Sequence, residues 1–335
     1  MSLVSVIALN WNRKELLREC LESLERQTFR DLEVIVVDNG STDGSVELVR
    51  QRFAWTRLVS LPHNCGFSGG NNIGIRHATG TYIALLSNDV VASPGWLTAL
   101  VSTIEKYPEV GFCASRILFY DQPELLNSTG ILYFPTGEAI DRGWMQMDGP
   151  QFSQPDYPIG ACAAAALYRR AMLEEIGLFD EEFSPAYYED VDLSLRAQLR
   201  GYRCAYVPAA VVHHRFASTM GYRSPEHVYL CERNRWYALI KNVPLRTLIK
   251  YGRVIVTIAR RRRVDHVRAG EGRPFVSGQL AALRKLPLMM RKRREIQRRR
   301  TISAREFEAL LTVQPQPLPS QARVPGSGGP QPNQA

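Results

Sequence analysis

Residues 4–12 read VSVIALNWN and residues 34–44 read VIVVDNGSTDG. Each stretch opens with β-branched and aliphatic residues and ends abruptly in polar or turn-forming ones, as expected for a buried strand followed by a turn. Between them, residues 14–26 space their leucines and Cys20 at helical intervals. A strand, a helix and a second strand joined by short connections predict a parallel sheet covered by helices.

The same alternation continues beyond residue 44. Strands are predicted at residues 57–61, 81–86 and 204–212, and helices at residues 45–53, 71–78, 95–106 and 192–200. Residues 111–160 are less regular, and we expect additional strands and loops there. The predicted strands are apolar throughout, which indicates that helices cover both faces of the sheet. The predicted fold class is α/β, with a mixed, mostly parallel sheet flanked by helices.

The net charge of +9 is distributed unevenly along the 335 residues. Residues 245–300 contain 18 Lys and Arg against 3 Asp and Glu, a local charge of +15, whereas residues 1–244 carry −6. The end of the chain is rich in Pro, Gln, Gly and Ser, a composition typical of disorder. We therefore predict an α/β domain at residues 1–243, a basic amphipathic helical extension at residues 244–312 and a disordered tail at residues 313–335.

The cysteines and the first residues of the sequence indicate the cellular compartment of the protein. The six cysteines are scattered without a CxxC pair, which argues against a disulfide framework or a structural zinc site. The first residues lack the pattern of a signal peptide, and no run approaches the ~18 apolar residues of a membrane span. A cytoplasmic protein is predicted. The basic extension suggests an anionic partner: a membrane surface, nucleic acid or a phosphorylated substrate.

Polar clusters follow three of the predicted strands directly: residues 10–12, residues 38–44 and residues 87–89. Ligands of an open parallel sheet bind beyond the carboxyl ends of its strands. Asp38 is therefore a candidate to accept a hydrogen bond from a nucleotide base, although residues 38–44 are equally typical of a turn that caps the next helix. Asp89 is a candidate ligand for Mg²⁺ or Mn²⁺. The alternative for residues 87–89 is a plain strand-to-loop turn.

Two further clusters carry titratable groups. Glu189, Asp190 and Asp192 lie within four positions, where their charges repel one another. Asp192 can pair with Arg196 one turn along a helix and is assigned to structure, while Asp190 or Glu189 could deprotonate an acceptor hydroxyl. His213 and His214 end a predicted strand. Such a pair either packs at the surface or supplies one imidazole to a metal site with Asp89.

A glycine-rich segment at residues 64–72 (NCGFSGGNN) opens a predicted helix. It matches neither GxGxxG nor a P-loop, which disfavours a dinucleotide-dependent dehydrogenase or a P-loop NTPase. Helix starts behind such loops do suit anions. Taken alone, this segment does not identify a ligand.

Together and in order, these segments resemble a family 2 glycosyltransferase with the GT-A fold, and within that family the rhamnosyltransferase-like branch. The matching stretches are residues 4–12, 34–44, 64–74, 85–90, 177–201 and 211–214. For the donor, the resemblance implies that Asp38 contacts the nucleotide base, helped by Leu9 and Asn10. Gly66 and Asn71 would lie against the same nucleotide-sugar donor.

The resemblance also implies a cation site next to the donor. Asp89 corresponds to the last acid of the family's DxD-type metal motif, Ser87 and Asn88 precede it, and His213 would complete the site. The first acid of that motif is Ser87 in this chain. Binding of Mg²⁺ or Mn²⁺ would then depend on fewer carboxylates, or on the donor diphosphate as well.

The implied reaction is an inverting sugar transfer in which Asp190 is the general base. Rhamnose from dTDP-rhamnose is the donor that the resemblance favours, over another UDP-, dTDP- or GDP-sugar. The implied acceptor is a saccharide or a lipid-linked molecule in cell-envelope polysaccharide assembly. An acceptor of that kind would place the protein peripherally on the inner face of the membrane, with residues 245–300 on an anionic leaflet.

Other classes fit less well. A nucleotidyltransferase would carry a glycine-rich and basic signature that residues 1–30 lack. No nucleic-acid-binding motif accompanies the arginines, so nucleic acid is an unlikely partner. A solvated charge run or an interaction tail is the alternative for the extension. A degenerate transferase kept as a scaffold would not need to retain Asp89, Asp190 and His213.

Overall fold

The structure, a computed structural model, describes residues 2–216 and 224–313. Its first half alternates strands and helices as predicted. The elements are β1 (Val4–Asn10), α1 (Lys14–Glu25), β2 (Leu32–Asp38), α2 (Ser45–Arg52), β3 (Arg57–Ser60), α3 (Gly66–His77), β4 (Tyr82–Ser87), β5 (Val90–Ala92) and α4 (Trp96–Lys106). Strand β1 lies between β2 and β4, β3 pairs with β2, and all three pairings are parallel.

The second half completes the sheet with antiparallel pairs. Its elements are β6 (Val110–Phe119), β7 (Leu126–Ser128), β8 (Ile131–Tyr133), β9 (Ala139–Asp141), β10 (Ala165–Arg169), α5 (Arg170–Ile176), α6 (Glu189–Leu199) and β11 (Arg203–His214). The strand order is β3-β2-β1-β4-β10-β6-β11-β5, with β7 beside β6. Strand β10 runs antiparallel to both of its neighbours, whereas β6 and β11 are parallel. The sheet is therefore mixed.

Helices cover both faces of this sheet, which explains why its strands are apolar throughout. Val4, Val6 and Ala8 of β1 pack with residues of α1 and α4 on one face. Ile7 of the same strand packs with α3, α5 and α6 on the other face. Side chains alternate across a strand, so both sets of β1 residues are buried only because both layers exist.

Helix α3 begins earlier than the sequence predicts. The predicted loop at residues 64–70 is helical from Gly66 onward. A Cβ on Gly74 would come within 2.5 Å of Ile7 Cγ2, and a Cβ on Gly70 would collide with Leu9. Gly70 and Gly74 lie four residues apart, so their bare backbone brings one face of the helix close to β1. Glycine is a poor helix former by propensity, and tertiary packing overrides that propensity here.

Five helices follow β11 in the described residues: α7 (Pro225–Asn242), α8 (Leu245–Arg268), α9 (Gly272–Arg284), α10 (Leu286–Arg299) and α11 (Ala304–Ala309). They share a third apolar core with β8 and α6. Several of their basic side chains pair with acids elsewhere in the chain, such as Arg262 with Glu138 and Lys292 with Asp180. The division at residue 243 stays a prediction. Residues 314–335 of the predicted tail lie outside the described residues.

Among the helices of residues 2–216 and 224–313, none combines the length and the apolar character that a membrane span requires. The cysteines of the chain are all free, as their scattered positions predict. Gly201 follows α6 with φ +85°, the left-handed conformation expected of a glycine that ends a helix.

We expect Gly74→Ala to lower the free energy of unfolding by up to about 2 kcal/mol. Overpacking costs about 1–3 kcal/mol, which outweighs the about 1 kcal/mol that alanine adds to a helix. Gly252→Ala, inside α8 with nothing within 4 Å of the new Cβ, is the matched control and should stabilise. Urea denaturation of both variants measures the difference. Equal effects in the two helices would contradict the close packing of α3.

Candidate active site

The polar ends of three adjacent strands form one hydrogen-bonded chain. Asn88 Nδ2 donates to Asn10 Oδ1 at 2.7 Å, and Asn10 Nδ2 donates to Asp38 Oδ1 at 3.3 Å. The second oxygen of Asp38 accepts the backbone N–H of Ser41 at 3.0 Å. All three linked side chains are buried. The predicted grouping of these strand ends at one edge of the sheet is therefore present.

Asn39 holds the glycine-rich segment, residues 64–72, next to this row of hydrogen bonds. Its amide donates to Asn64 Oδ1 and accepts the N–H of Cys65, both at 2.8 Å. Gly66, with φ +74°, lies against Ser184, where a Cβ would come within 2.9 Å of the hydroxyl. Asn71 Nδ2 donates to Phe67 O within α3 at 3.0 Å, so this amide nitrogen already has a partner.

Asp190 is connected to the end of β4 through a short stretch of backbone. The N–H of Ala163 donates to Asp190 Oδ2 at 3.2 Å, and the N–H of Ser87 donates to the carbonyl of Ala164 at 2.9 Å. Asp190 Oδ1 accepts its neighbour's N–H, that of Val191, at 2.8 Å. Through residues 163–164, Asp190 therefore lies near Ser87 at the edge of the sheet.

The turn before Asp190 holds two residues in a conformation that side chains rarely adopt. Tyr187 and Tyr188 have φ of +75° and +68°, and Tyr188 directly precedes the first turn of α6. Asn234 of α7 is buried and donates to the carbonyls of Tyr187 and Ala186 at 2.7 and 3.0 Å. Sequence analysis missed Asn234, because nothing along the chain links it to residues 186–190.

The three acids of α6 differ in their surroundings. Burial raises the pKa of Glu189 well above its usual range, the neighbouring Asp190 raises it further, and Glu189 Oε2 has no hydrogen-bond partner among the described residues. Burial also raises the pKa of Asp190, although three backbone N–H groups oppose that shift. Asp192 pairs with Arg196 at 2.9 Å and Lys241 at 2.7 Å, so the predicted pairing with Arg196 is confirmed.

Asp89 faces His214 and not His213. His214 Nε2 lies 3.4 Å from Asp89 Oδ1, and His214 Nδ1 lies 2.9 Å from Asn127 Oδ1. Successive residues of a strand point to opposite faces, so His213, opposite Val91 in the register, is directed away from this pair. The structure therefore offers His214 beside Asp89, and the assignment of His213 to the metal site stays a prediction.

Asp141, at the end of β9, is a further acid that sequence analysis missed. Burial raises its pKa to about 7, a hydrogen bond from Ser128 opposes the rise, and the charges of Asp190 and His214 also act on it. The carboxyl therefore lies within electrostatic reach of both. Asp141 is hard to recognise as a site residue from sequence, because it belongs to the irregular residues 111–160 and lies in no motif.

The cation that the resemblance implies has two candidate protein ligands here. In the tautomer in which Nδ1 of His214 donates to Asn127 Oδ1, Nε2 would offer its lone pair to a cation beside Asp89. A lone pair and a carboxylate oxygen facing each other suit a bound cation. No group of three His, Cys, Asp or Glu side chains able to hold a metal exists within the described ranges. The remaining ligands would have to come from substrate or water.

We expect Glu189→Gln to stabilise the protein increasingly as the pH rises from 5 to 8. The raised pKa keeps Glu189 protonated in the folded state, whereas the unfolded chain loses that proton above about pH 4.3. Folding of the wild type therefore loses up to about 1.4 kcal/mol per pH unit in this window, and glutamine does not titrate. Thermal melting at several pH values measures the difference. A pH-independent difference would contradict a neutral Glu189.

Residues 5–177 match the family described as "Glycosyl transferase family 2". The O-antigen biosynthesis protein RfbC of Myxococcus xanthus is 32% identical over 68% of this chain, which spans 18% of that protein. The N-acetylglucosaminyl-diphospho-decaprenol L-rhamnosyltransferase of Mycobacterium tuberculosis is 28% identical over 64% of this chain and 76% of that enzyme.

Solved structures agree on the fold. The structure of GalNAc-T7 with UDP, GalNAc and Mn²⁺ has a TM-score of 0.58 at 16% identity, over 72% of this chain and 48% of that one. The mannosyltransferase PcManGT from Pyrobaculum calidifontis, in complex with GDP-Man and Mn²⁺, has a TM-score of 0.50 at 17% identity, over 92% and 79%. With its mixed sheet and helical layers, this chain belongs to glycosyl transferase family 2 and is a glycosyltransferase of the GT-A fold.

Proposed function

We propose that this enzyme transfers a sugar from a nucleotide-sugar donor to an acceptor hydroxyl with inversion at the anomeric carbon, and that Asp190 is the general base. The observation that carries the proposal is the backbone link from Asp190 through residues 163–164 to Ser87. It joins a carboxylate with a raised pKa to the strand ends where ligands of such sheets bind. A base is most effective when its pKa lies near the working pH.

The proposed donor site follows the edge of the sheet. The Asp38 carboxylate is held in place by Asn10 and has lone pairs left for a base N–H. Leu9, next to Ser87 in the register, and Gly66 with Asn71 would border the same donor. Ser87 and Asn88 would lie beside its diphosphate.

For the sugar we propose rhamnose from dTDP-rhamnose, and for the acceptor a saccharide or lipid-linked molecule in polysaccharide assembly. The M. tuberculosis relative, an L-rhamnosyltransferase by name, and the M. xanthus relative, named for O-antigen biosynthesis, support this choice. A thermal-shift panel of dTDP-, UDP- and GDP-sugars, each with and without Mn²⁺, tests it. A larger shift with another nucleotide sugar would replace dTDP-rhamnose.

The proposed transfer forms one bond, breaks one bond and moves one proton. The acceptor oxygen forms a bond to the anomeric carbon on the face opposite the diphosphate, its proton passes to Asp190, and the bond from the carbon to the diphosphate oxygen breaks. The nucleoside diphosphate leaves with that electron pair. Positive charge builds on the sugar ring as in glycoside hydrolysis. Glu189, neutral beside the base, would add no competing negative charge.

Asp89 and His214 are the residues that would hold Mg²⁺ or Mn²⁺, in place of the pair Asp89 and His213. The cation, when bound, would neutralise charge that develops on the leaving diphosphate. Asn127 fixes the ring of His214 through Nδ1. Because Ser87 replaces an acid, the donor's own phosphate oxygens would complete the coordination.

We further propose that the extension at residues 244–312 contacts an anionic membrane leaflet on its cytoplasmic side. Ten of the large apolar side chains exposed in the described residues lie between Leu245 and Met290, interspersed with arginines. Apolar and basic side chains on one surface are typical of interfacial helices. Peripheral association would bring the site to a lipid-linked acceptor.

Asp190→Asn should lower kcat by about 10²–10⁴-fold and leave donor affinity within about threefold, because only proton transfer is lost. Glu189→Gln is the matched control. It preserves the neutral state of that side chain and should retain turnover. Initial rates with a saccharide acceptor and calorimetric titration with the donor measure the two effects. If only Glu189→Gln abolished turnover, Glu189 and not Asp190 would be the base.

His214→Ala should weaken Mn²⁺ binding by at least about 10–100-fold, since the loss of a residue that only supports a ligand already costs that much. His213→Ala, on the neighbouring residue of the same strand, should leave it unchanged. Titration of Mn²⁺ in the presence of the nucleoside diphosphate, followed by thermal shift, compares the variants. A loss in His213→Ala alone would restore His213 as the ligand.

A further inference from the structure

Five arginines line an open cavity of 410 Å³ between the start of α8 and the last turns of α10, which we call the arginine groove. They are Arg246, Arg293, Arg294, Arg298 and Arg300. None of the groove's lining residues in the described part of the chain is acidic. Like charges gathered without a counter-charge repel one another, so an anion in this groove would be bound favourably.

The floor of the groove is fixed by hydrogen bonds to the end of α7. Arg293 Nη1 donates to the carbonyls of Ile240 at 2.7 Å and Val243 at 2.6 Å. Gln297 Nε2 donates to the carbonyl of Asn242 at 2.7 Å. The last carbonyls of a helix lack partners within it, so these bonds satisfy α7 and anchor α10. The arginines are therefore presented by a rigid surface.

Two acids lie near the groove: Glu295 follows Arg294 on α10, and Glu308 is within electrostatic reach of Arg246 but is bonded mainly to Lys250. Glu308 accepts from Lys250 at 2.7 Å and Thr247 at 3.1 Å. Lys292 of α10 is bound to Asp180. Burial and the charge of Arg300 lower the pKa of Arg293, which is the expected result of crowded positive charge. Five arginines against these two acids leave the groove with a net positive charge.

The border of the groove is apolar. Leu245 and Met290, which line it, are 63% and 40% exposed, and Ile249, one turn further along α8, is 73% exposed. Guanidinium groups bind phosphate in a bidentate manner, whereas exposed aliphatic side chains favour hydrocarbon. The lining residues include no aromatic side chain on which a nucleotide base could stack. This combination fits an amphiphile better than a nucleic acid.

We propose that the arginine groove binds the phosphate of an anionic membrane lipid, with Leu245, Ile249 and Met290 against its acyl chains. The proposal refines the membrane contact proposed above to one site and is independent of the sugar-transfer assignment. The groove lies at the end of α10, which reaches Glu175 of α5 through Arg299. Lipid bound there would not compete with a donor at the strand ends.

The test is co-sedimentation of the full chain with phosphatidylcholine vesicles that contain or lack phosphatidylglycerol. Arg294→Ala/Arg298→Ala should weaken binding to the anionic vesicles by about 30-fold, the equivalent of ~1 kcal/mol for each arginine at the surface. Arg260→Ala/Arg263→Ala is the matched control, since it removes the same charge from exposed positions about 20 Å further along α8. Its effect should stay within about threefold, because distant charges are screened.

Four results would overturn the proposal. Equal losses in the two double variants would indicate diffuse attraction rather than a site. Full competition by inorganic phosphate, or stronger binding of a single-stranded DNA oligonucleotide than of vesicles, would assign the groove to a soluble anion or to nucleic acid. Unchanged vesicle binding by Leu245→Ser/Ile249→Ser would contradict the proposed contact of these side chains with the acyl chains. Transfer to a soluble saccharide acceptor should be unaffected in every variant. This activity therefore distinguishes failure of the lipid-binding proposal from failure of the sugar-transfer proposal.

Discussion

The parallel pairing of β1 with β2 and β4 is the constraint on which the site depends. In this register Asn10 lies beside Asp38, and Leu9 lies beside Ser87, so the polar residues that follow each strand emerge at the same edge. A buried carboxylate needs hydrogen-bond partners, and the chain from Asn88 through Asn10 to Asp38 supplies them. Any shift in register would break that chain.

The C-terminal helices α7 and α8 also help to position the residues of the candidate site. Asn234 of α7 supports the strained turn before Asp190, and Lys241 of the same helix pairs with Asp192 just beyond it. Arg262 of α8 pairs with Glu138, three residues before Asp141. Part of the positive charge of the extension is thus used to hold acids of the α/β part. The remainder, including the arginine groove, faces outward.

Ionisation of the buried carboxyl groups in the candidate site is unfavourable, and a bound substrate and cation would make it less so. Glu189 and Asp190 are adjacent, and both have a raised pKa because burial opposes ionisation. Asp141 approaches the same region with a pKa of about 7. Gathering acids in this manner costs stability, and such clusters are typical of functional sites. The neutral state of Glu189 limits that cost and leaves Asp190 as the carboxylate held by backbone donors.

Local sequence determined the alternation of strands and helices and the acids at their ends, because hydrophobic period and turn chemistry act over a few residues. Asp38 and Asp190 were predicted as site residues for that reason. Only tertiary structure decided which histidine faces Asp89, since the pairing of β11 with β6 contains an irregularity between Val207 and Val211 that the sequence does not reveal. It also brought Asp141 towards Asp190 from a distant, irregular segment. Contacts between residues far apart in the chain depend on register and packing, and these are properties of the whole fold.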